Sequence, residues 1–473
     1  MIQNNTKIVA TIGPASESPA VIKRLIKAGV NVARLNFSHG THANHQLLIK
    51  RLRSAATQLG KTIAILQDLQ GPRIRVGHLP DSGVELIKGK NVKLEFGDHS
   101  SSSPELIPVD LDIAPRMRVG QRILIHDGLV DLQVKKVTGK IVSCRVMRGG
   151  LLFSHKGVNI PGVKLDSPVI TERDKKDLRF GLRQQVDWVA LSFVGEAKDI
   201  QDLRRLIKQY RPQSRVKIMA KIERPSAVDN IDEIIAAADG IMVARGDLGV
   251  EVSPQRVPII QKRIIAKCMA AAKPVLVATQ MLDSMIKNPV PTRAEASDVA
   301  NAVIDHADAV MLSGETAFGQ YPVEAVKMMH NIVAETEQSP YDDMPPDWSA
   351  GPITSHYQAI AESVFDLVAD TKASAIVALS RSGFSAQLVA RSRPDTKIIA
   401  MVADDIIMRQ LNIVWGVQAY KVSVKKSIDQ LIKQAINLVK RKKLVRRGSN
   451  VVIVTGQPVG KSKHANLVEV YKI

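Results

Sequence analysis

Short apolar runs of strand length alternate with amphipathic segments of helical period along most of the chain. TKIVATIGP (6–14), VNVARLNFSHG (30–40) and TIAILQDLQG (62–71) predict three strands. Between them, SPAVIKRLIKAG and HANHQLLIKRLRSAATQLG repeat apolar positions at three- and four-residue steps and predict helices. After the helical TERDKKDLRFGLRQQ, the rhythm resumes with VDWVALSFV (186–194), VKIMAKIE (216–223), GIMVARGDL (240–248), PVLVATQML (274–282) and DAVMLSGET (308–316). Eight strand–helix units in about 240 residues predict an α/β chain built on a (β/α)8 barrel, with its chemistry at the C-terminal ends of the strands.

The pattern breaks from Pro72 to Ser167, where Gly-punctuated alternating runs such as GVELIKGKNVKLEF and RILIHDGLVDLQVKKV predict a small β domain. Inserted after the third strand, it lies over the catalytic face, placed to act as a lid that excludes water. SPYDDMPPDWSAGP (339–352), rich in Pro and acids, reads as a linker. Beyond it IVALS, KIIAMVA, VQAYKV, NVVIVTG and NLVEVYKI alternate with helical segments, which predicts a separate C-terminal α/β domain. The expected division is 1–71 with 168–345 for the barrel, 72–167 for the β lid and 346–473 for the C-terminal domain.

Composition narrows the class. With 45% hydrophobic and 24% charged residues over 473 positions, the chain has the balance of a globular protein rather than a disordered one. Cys144 and Cys268 lie far apart with no CxxC pair, which supports neither a disulfide framework nor a thiolate zinc site and points to a reducing compartment. No leader pattern opens the chain and no run is long enough to span a bilayer, so the expectation is a cytoplasmic protein without a membrane partner. The 66 basic against 46 acidic residues, a net +20, raise polyanion binding. Aromatic residues are only 4%, too few for base-stacking surfaces, and no zinc-finger, RNP-type or zipper pattern occurs, so no nucleic-acid partner is expected. The basic run Lys440 to Arg447 follows IDQLIKQAINLV and reads as the solvated end of a helix. Positive clefts for phosphorylated small molecules fit the charge equally well.

Polar residues at the barrel strand ends carry the chemistry. Glu223 closes the fifth strand and Asp247 the sixth; a spacing of 24 residues, one strand–helix unit, brings two carboxylates side by side. Such a pair suits Mg²⁺ (or Mn²⁺), which completes its shell with water and substrate oxygens. A lone strand-end acid is more often a helix cap. Two on neighbouring strands, with Lys221 on the same strand face as Glu223, favour a site. Alternation puts Arg34, Asn36 and Ser38 on one face of the second strand; Asp68 ends the third, Arg75 lies just beyond it, and Thr279 ends the seventh. Cations, metal-type carboxylates and hydroxyls in one mouth have the charge pattern of phosphoryl transfer. The ARGDLG turn adds backbone N–H groups near Gly246 and Asp247 for a substrate carboxylate. GQPVGKS (456–462) has three residues between its glycines instead of the four of a P-loop, and no helix-forming segment follows it. His39, His42 and His45, three residues apart, read as the surface of the second helix rather than as a metal site.

KIVATIGPAS, ARLNFSHG, DLQGPRIR, KIER, ARGDLG, VATQML, PTRAEASDVANAV and MLSGETAFGQYPVEAV occur in this order, and with them the whole chain resembles the pyruvate kinases. The resemblance implies transfer of the phosphoryl group of phosphoenolpyruvate to ADP, giving pyruvate and ATP in glycolysis, with Mg²⁺ on Glu223 and Asp247. It further implies that Lys221 neutralises the transferring group, Arg34 contacts its phosphate, Gly246 and Asp247 face the substrate, and Thr279 lies near the protonated side of the enolate. Asn36, His39, Arg75 and Lys156 map to nucleotide-side positions, with Lys156 supplied by the lid. A homotetramer is implied, as is an allosteric site for a phosphorylated effector at SRSGFS, with Ser380, Ser382, Gly383 and Ser385 at a helix N-terminus. Arg381 and Phe384 depart from the family's Thr-rich versions, so a sugar or nucleoside monophosphate is expected there rather than a sugar bisphosphate.

Asn36, Ser38 and Asp68 also match the side chains that line a monovalent-cation position in the family. Where K⁺-requiring relatives typically have Thr, Lys and Glu, this chain has Leu69, Gln70 and Arg73. The permanent charge of Arg73 is expected to fill the ion's catalytic role, with K⁺ not required. Alternation places Arg73 on the same side as Arg75. The competing readings are another Mg²⁺-dependent phosphoenolpyruvate or pyruvate barrel enzyme of aldolase or lyase class, against which the lid and C-terminal domain argue, and a polyanion-binding protein.

Overall fold

Eight strands buried along nearly their whole length form the centre of the molecule: β1 (Lys7–Thr11), β2 (Val30–Asn36), β3 (Ala64–Asp68), β4 (Trp188–Leu191), β5 (Lys217–Ile222), β6 (Gly240–Ala244), β7 (Val275–Ala278) and β8 (Ala309–Leu312). Covering a parallel sheet on both faces demands such continuous apolar runs. Each strand pairs in parallel with the next, and β8 pairs back to β1 with Lys7 opposite Ala309, closing the expected barrel. Its interior is packed, not hollow: Val9, Leu66, Met219, Met242, Leu276 and Met311 are buried there. Helices cover the outside, their starts set by local caps, as where Thr171 and Asp174 form a reciprocal capping box before Glu172–Arg183. The computed structural model describes residues 4–97, 106–126, 128–162, 168–342, 356–425, 427–457 and 465–473. The expected junctions at 167/168 and 345/346, most of the linker, and positions 458–462 of GQPVGKS lie outside these residues.

Between β3 and the helix Glu172–Arg183 the described residues form a domain built mainly of β-strands. Seven strands pair in the order Ile74–Arg75, Gly157–Asn159, Arg122–Ile125, Val130–Thr138, Ile141–Arg148, Asn91–Phe96, Leu106–Val109. A bridge between Val76 and Val109 joins the two edges, so the sheet curls into a small barrel around Leu94, Phe96, Ile107, Ile123 and Leu132. Beyond residue 356, β9 (Ala375–Leu379), β10 (Lys397–Val402), β11 (Val417–Lys421), β12 (Asn450–Thr455) and β13 (Leu467–Lys472) form one sheet, β11-β10-β9-β12-β13, with β13 antiparallel. All five segments expected from the sequence are present.

The C-terminal domain docks on the barrel floor, at the strand ends opposite the candidate chemistry. Arg409 Nε donates to Asp187 Oδ1 at 2.7 Å, and Trp188 Nε1 donates to the Gln410 carbonyl at 3.3 Å. Burial pushes the Asp187 carboxyl up to about 6, against the pull of Arg409. Its other oxygen accepts from the Ile65 N–H at 2.8 Å, so the interface is tied to β3. Cys144 and Cys268 are free, buried and in different domains. Among the described residues no helix is long and apolar enough to cross a membrane.

Candidate active site

At the C-terminal end of the barrel, β2 and β3 are in register with Asn36 opposite Asp68. Arg34 spans three strands: its Nε donates to Asp68 Oδ2 at 2.7 Å and its Nη1 to Thr11 Oγ1, on β1, at 3.0 Å. From β5, the buried Lys221 Nζ reaches Ser192 Oγ at 2.7 Å, Glu223 Oε1 at 2.8 Å and Asp68 Oδ1 at 3.3 Å. Asp68 therefore lies between two cations. Burial alone would raise its pKa, but Lys221 and then Arg34 outweigh burial and hold it below the usual carboxylate range. Burial would lower Lys221, and Asp68, Glu223 and Asp247 reverse this and raise it, so the ammonium keeps its proton at working pH.

Glu223 follows β5 directly and is 1% exposed, with Oε2 accepting from the Phe193 N–H at 2.8 Å. Phe193 has φ +60°, a strained value for a bulky residue, and such strain concentrates at functional sites. Room for its ring comes from Gly71, where a Cβ would stand 2.7 Å from Phe193 Cδ2. This corrects the picture of Glu223 as an open mouth residue: its removal orphans a buried N–H and one side of Lys221.

Asp247 is not on the sixth strand. The chain turns at Ala244 into a short helix, Arg245–Glu251, because Arg245 is drawn to Asp298 (2.7 Å) and to the Thr279 carbonyl (2.8 Å). Asp247 Oδ1 accepts from Arg73 Nη2 at 3.0 Å. The Gly246 N–H, expected to meet a substrate carboxylate, donates to Thr279 Oγ1 at 2.7 Å. That hydroxyl donates in turn to the Ala278 carbonyl, and Thr279 and Gln280 both have positive φ, +73° and +52°. Ser38 lies in the turn after β2 rather than on the strand, and its N–H donates to Asn36 Oδ1 at 3.1 Å.

On the lid side, Arg75 Nη1 donates to the His155 carbonyl at 2.9 Å, next to Lys156. Burial lowers the pKa of His39, and Arg75, Arg73, Arg34 and Arg173 lower it further, so the imidazole is neutral at pH 7. His45 is not a surface residue: it is buried, stacks on Phe37 at 3.9 Å and bonds the His39 carbonyl. His42 pairs with Asp177. Sequence reasoning missed Ser192 and Phe193, although a hydroxyl just past β4 has the same kind of position as the residues it did select.

In the C-terminal domain, Ser380 Oγ accepts from the Gly383 N–H (3.0 Å) and Ser382 Oγ from the Phe384 N–H (3.3 Å). Gly383, at φ +82°, caps Phe384–Ala390, and Ser385 is buried. The helix N-terminus expected to receive an effector is thus already capped by these serines, while each hydroxyl keeps a proton to donate.

The donor set fits a divalent ion of the Mg²⁺ type. Glu223 Oε1 and Asp68 Oδ1 are buried carboxylate oxygens whose one described partner is the Lys221 ammonium, at 2.8 and 3.3 Å, which leaves each with lone pairs for a cation. Among the described residues no three His, Cys, Asp or Glu side chains are grouped to hold a metal, so the pair Glu223 and Asp247 needs water or substrate oxygens to complete a shell.

Comparison with known proteins agrees with the fold. Residues 3–326 match the pyruvate kinase barrel domain and residues 358–471 the pyruvate kinase alpha/beta domain. The chain is 46% identical over 477 residues to pyruvate kinase of Geobacillus stearothermophilus, covering 100% of this chain and 81% of that protein. It is 43% identical to pyruvate kinase of Staphylococcus aureus (strain MRSA252), covering 99% and 80%. The crystal structure of a pyruvate kinase from Cryptosporidium parvum superposes with a TM-score of 0.91 at 36% identity, covering 99% of this chain and 96% of that one. A closed eight-stranded barrel, an α/β C-terminal domain and these full-length likenesses lead to one conclusion: the chain belongs to the pyruvate kinase family, phosphotransferases that make pyruvate and ATP from phosphoenolpyruvate and ADP in glycolysis.

Proposed function

We propose that this reaction runs at the barrel mouth with Lys221 and Arg34 on the transferring phosphoryl group, Glu223 and Asp247 holding Mg²⁺ or Mn²⁺, and Thr279 with the Gly246–Asp247 turn facing the three-carbon substrate. The observation that supports it is the buried cluster in which Lys221 meets Asp68, Glu223 and Ser192. When bound, the divalent ion supplies Lewis-acid charge neutralisation at substrate oxygens. Lys221 supplies a fixed positive charge, protonated and shielded from water, where the phosphoryl oxygens gather charge in the transition state. Arg34, anchored on Asp68 and Thr11, orients that group. Thr279 Oγ1 accepts from the Gly246 N–H and donates to the Ala278 carbonyl, which fixes the hydroxyl on the enolate side, where it exchanges the carbonyl for the substrate as its acceptor.

Asn36, His39, Arg75 and Lys156 form the nucleotide side in this reading. Asn36, Ser38 and Asp68 line the monovalent-cation position, and its charge demand is met from within: Arg34 and Lys221 already flank Asp68, and Arg73 brings a further permanent charge. Arg73 supplies it through Asp247, not Asp68. ATP formation from phosphoenolpyruvate and ADP, measured with Mg²⁺ at matched ionic strength, is therefore expected to be the same in K⁺ and in a tetraalkylammonium salt. Arg73→Glu is expected to create a K⁺ dependence; tenfold or greater K⁺ activation of the wild type, about 1.4 kcal/mol of barrier, would sink the proposal.

The same reading makes the protein a cytoplasmic homotetramer divided at 71/72, 167/168 and 345/346. Its effector site is the loop of Ser380, Ser382, Gly383 and Ser385. The serine hydroxyls, each accepting from the backbone, have protons to donate to a phosphate. A sugar or nucleoside monophosphate is expected to shift the phosphoenolpyruvate saturation curve to lower concentration, and Ser382→Asp to remove the shift by like-charge repulsion. An unchanged response in that variant would discard the site.

A further inference from the structure

Charge is unevenly spread along the chain. Residues 421–447 hold ten Lys or Arg and a single acid, Asp429, so nearly half of the net +20 falls in one stretch of the C-terminal domain. That domain sits on the barrel floor, away from the phosphoryl-transfer cluster, and the proposed reaction makes no use of this charge. Lys421, Lys425, Lys433 and Arg441 line a groove of about 800 Å³ between the chain that leaves β11 and the helix Ile428–Arg441. The loop of Ser380, Ser382, Gly383 and Ser385 does not belong to its lining, and neither does any acid.

Lys421 is taken, its Nζ meeting Asp405 Oδ2 at 2.5 Å. Lys425, Lys433 and Arg441 make no ion pair and no side-chain hydrogen bond among the described residues. Gln434 and Ser423 bond each other across the groove at 2.6 Å, which ties its two walls together. Gln430 and Asn437, beside them, keep uncommitted side-chain amides. Helical geometry explains the alignment: Gln430, Lys433, Gln434, Asn437 and Arg441 follow steps of three and four, so they form one stripe about 16 Å long. Lys440, exposed and seven residues after Lys433, continues the stripe at its outer edge. Ser427 caps the helix through the Gln430 N–H, so the donors in the groove are side chains of the helix flank and not the helix end. Like charges held side by side repel, and a bound polyanion relieves the repulsion.

We infer that this groove binds a linear chain of phosphoryl groups, as in inorganic polyphosphate, lying along the helix from Gln430 to Arg441. Cations spread over about 16 Å outreach a single phosphate. No aromatic side chain lines the groove, and the nearby Tyr420 has the Lys442 ammonium over its ring at 5.7 Å, so a single-stranded nucleic acid finds no platform for its bases. A lipid surface is flat, whereas these cations line a concavity. Ammonium groups on flexible stems, with amide N–H donors between them, suit phosphate oxygens that repeat along a chain.

The test titrates the full chain with long-chain inorganic polyphosphate, with tripolyphosphate and with orthophosphate at equal total phosphate, by isothermal titration calorimetry. Polyphosphate is expected to bind most tightly, orthophosphate not to bind, and the affinity to fall steeply with added salt. Lys425→Gln, Lys433→Gln and Arg441→Gln combined are expected to weaken polyphosphate at least tenfold, with ATP formation from phosphoenolpyruvate and ADP unchanged. The same loss of charge at exposed positions of the barrel helices, Lys27→Gln, Lys50→Gln and Lys198→Gln, is expected to leave polyphosphate binding unchanged. Asn437→Glu, one exposed change in the middle of the groove, is expected to weaken binding by repulsion and keeps the test open if the triple groove variant fails to fold. Equal losses in the two triple variants, undiminished binding in the triple groove variant or in Asn437→Glu, or tighter binding of single-stranded RNA or phosphatidylserine vesicles at equal charge would each overturn the inference.

Discussion

Turnover falls by on the order of 10³ or more when either Glu223 or Asp247 loses its charge, the scale expected if each helps hold an ion worth several kcal/mol to the transition state. The two residues differ in what else they support. Asp247 is partly exposed and touches Arg73, so Asp247→Ala removes the proposed ligand with little consequence for the core. Glu223 is buried and accepts from Phe193, so Glu223→Gln is the informative change: the amide keeps an acceptor for that N–H while losing the negative charge. Glu223→Ala is expected to cost about 1–3 kcal/mol of stability beyond Glu223→Gln, the penalty for an orphaned buried donor. Mn²⁺ titration followed by electron paramagnetic resonance reads the ligand role apart from the rate, and thermal unfolding reads the structural one. Near-normal turnover with undiminished Mg²⁺ dependence in both charge-removing variants would eliminate this assignment.

Lys221→Met lowers kcat by on the order of 10² or more, as does the loss of one preorganised electrostatic donor elsewhere, while the KM for phosphoenolpyruvate moves little. The ammonium is held from three sides, by Ser192, Asp68 and Glu223, so it does not reorganise as charge develops on the phosphoryl oxygens. The substitution also leaves Asp68 with Arg34 alone, and a carboxylate kept low by two cations should rise when one is removed. The acid limb of the pH–rate profile in the variant is therefore expected to move to higher pH. A rise in KM with kcat unchanged would make Lys221 a uniform binder instead.

The barrel was legible because a parallel strand covered on both faces must be an unbroken apolar run, and each of the eight runs ends in a polar loop. The site was legible where it lies on those strands. Arg34, Asn36 and Lys221 lie on the strands on which alternation was argued, and Asp68 ends the third strand. It became illegible where the chain leaves the strands. Nothing in GIMVARGDL shows that Arg245 is pulled toward Asp298 and carries Asp247 onto a helix, since the partner is 53 residues away. Phe193 hides its role for a different reason: a left-handed backbone is readable in sequence at glycine or asparagine, not at phenylalanine. His45 looked solvent-facing because its cover is Phe37, a residue of the preceding turn whose ring direction periodicity does not encode. Arg73 was singled out for its charge, but its partner Asp247, 174 residues on, is visible only in three dimensions.

The closing pair of the barrel, β1 with β8, sets the order in which the molecule can be built. Lys7 meets Ala309, so about 300 residues must leave the ribosome before the first strand finds its second neighbour. At about 5–20 residues per second that is a wait of roughly 15–60 s. The lid's strands all lie between Ile74 and Asn159, and its closing bridge, Val76 with Val109, spans a short loop. Loop closure is cheaper at such separations, so the lid is complete while the barrel it interrupts is still an open sheet. During that interval β1 presents one unpaired edge to its surroundings, and this makes the nascent N-terminal half, rather than the finished enzyme, the form most exposed to edge-to-edge aggregation.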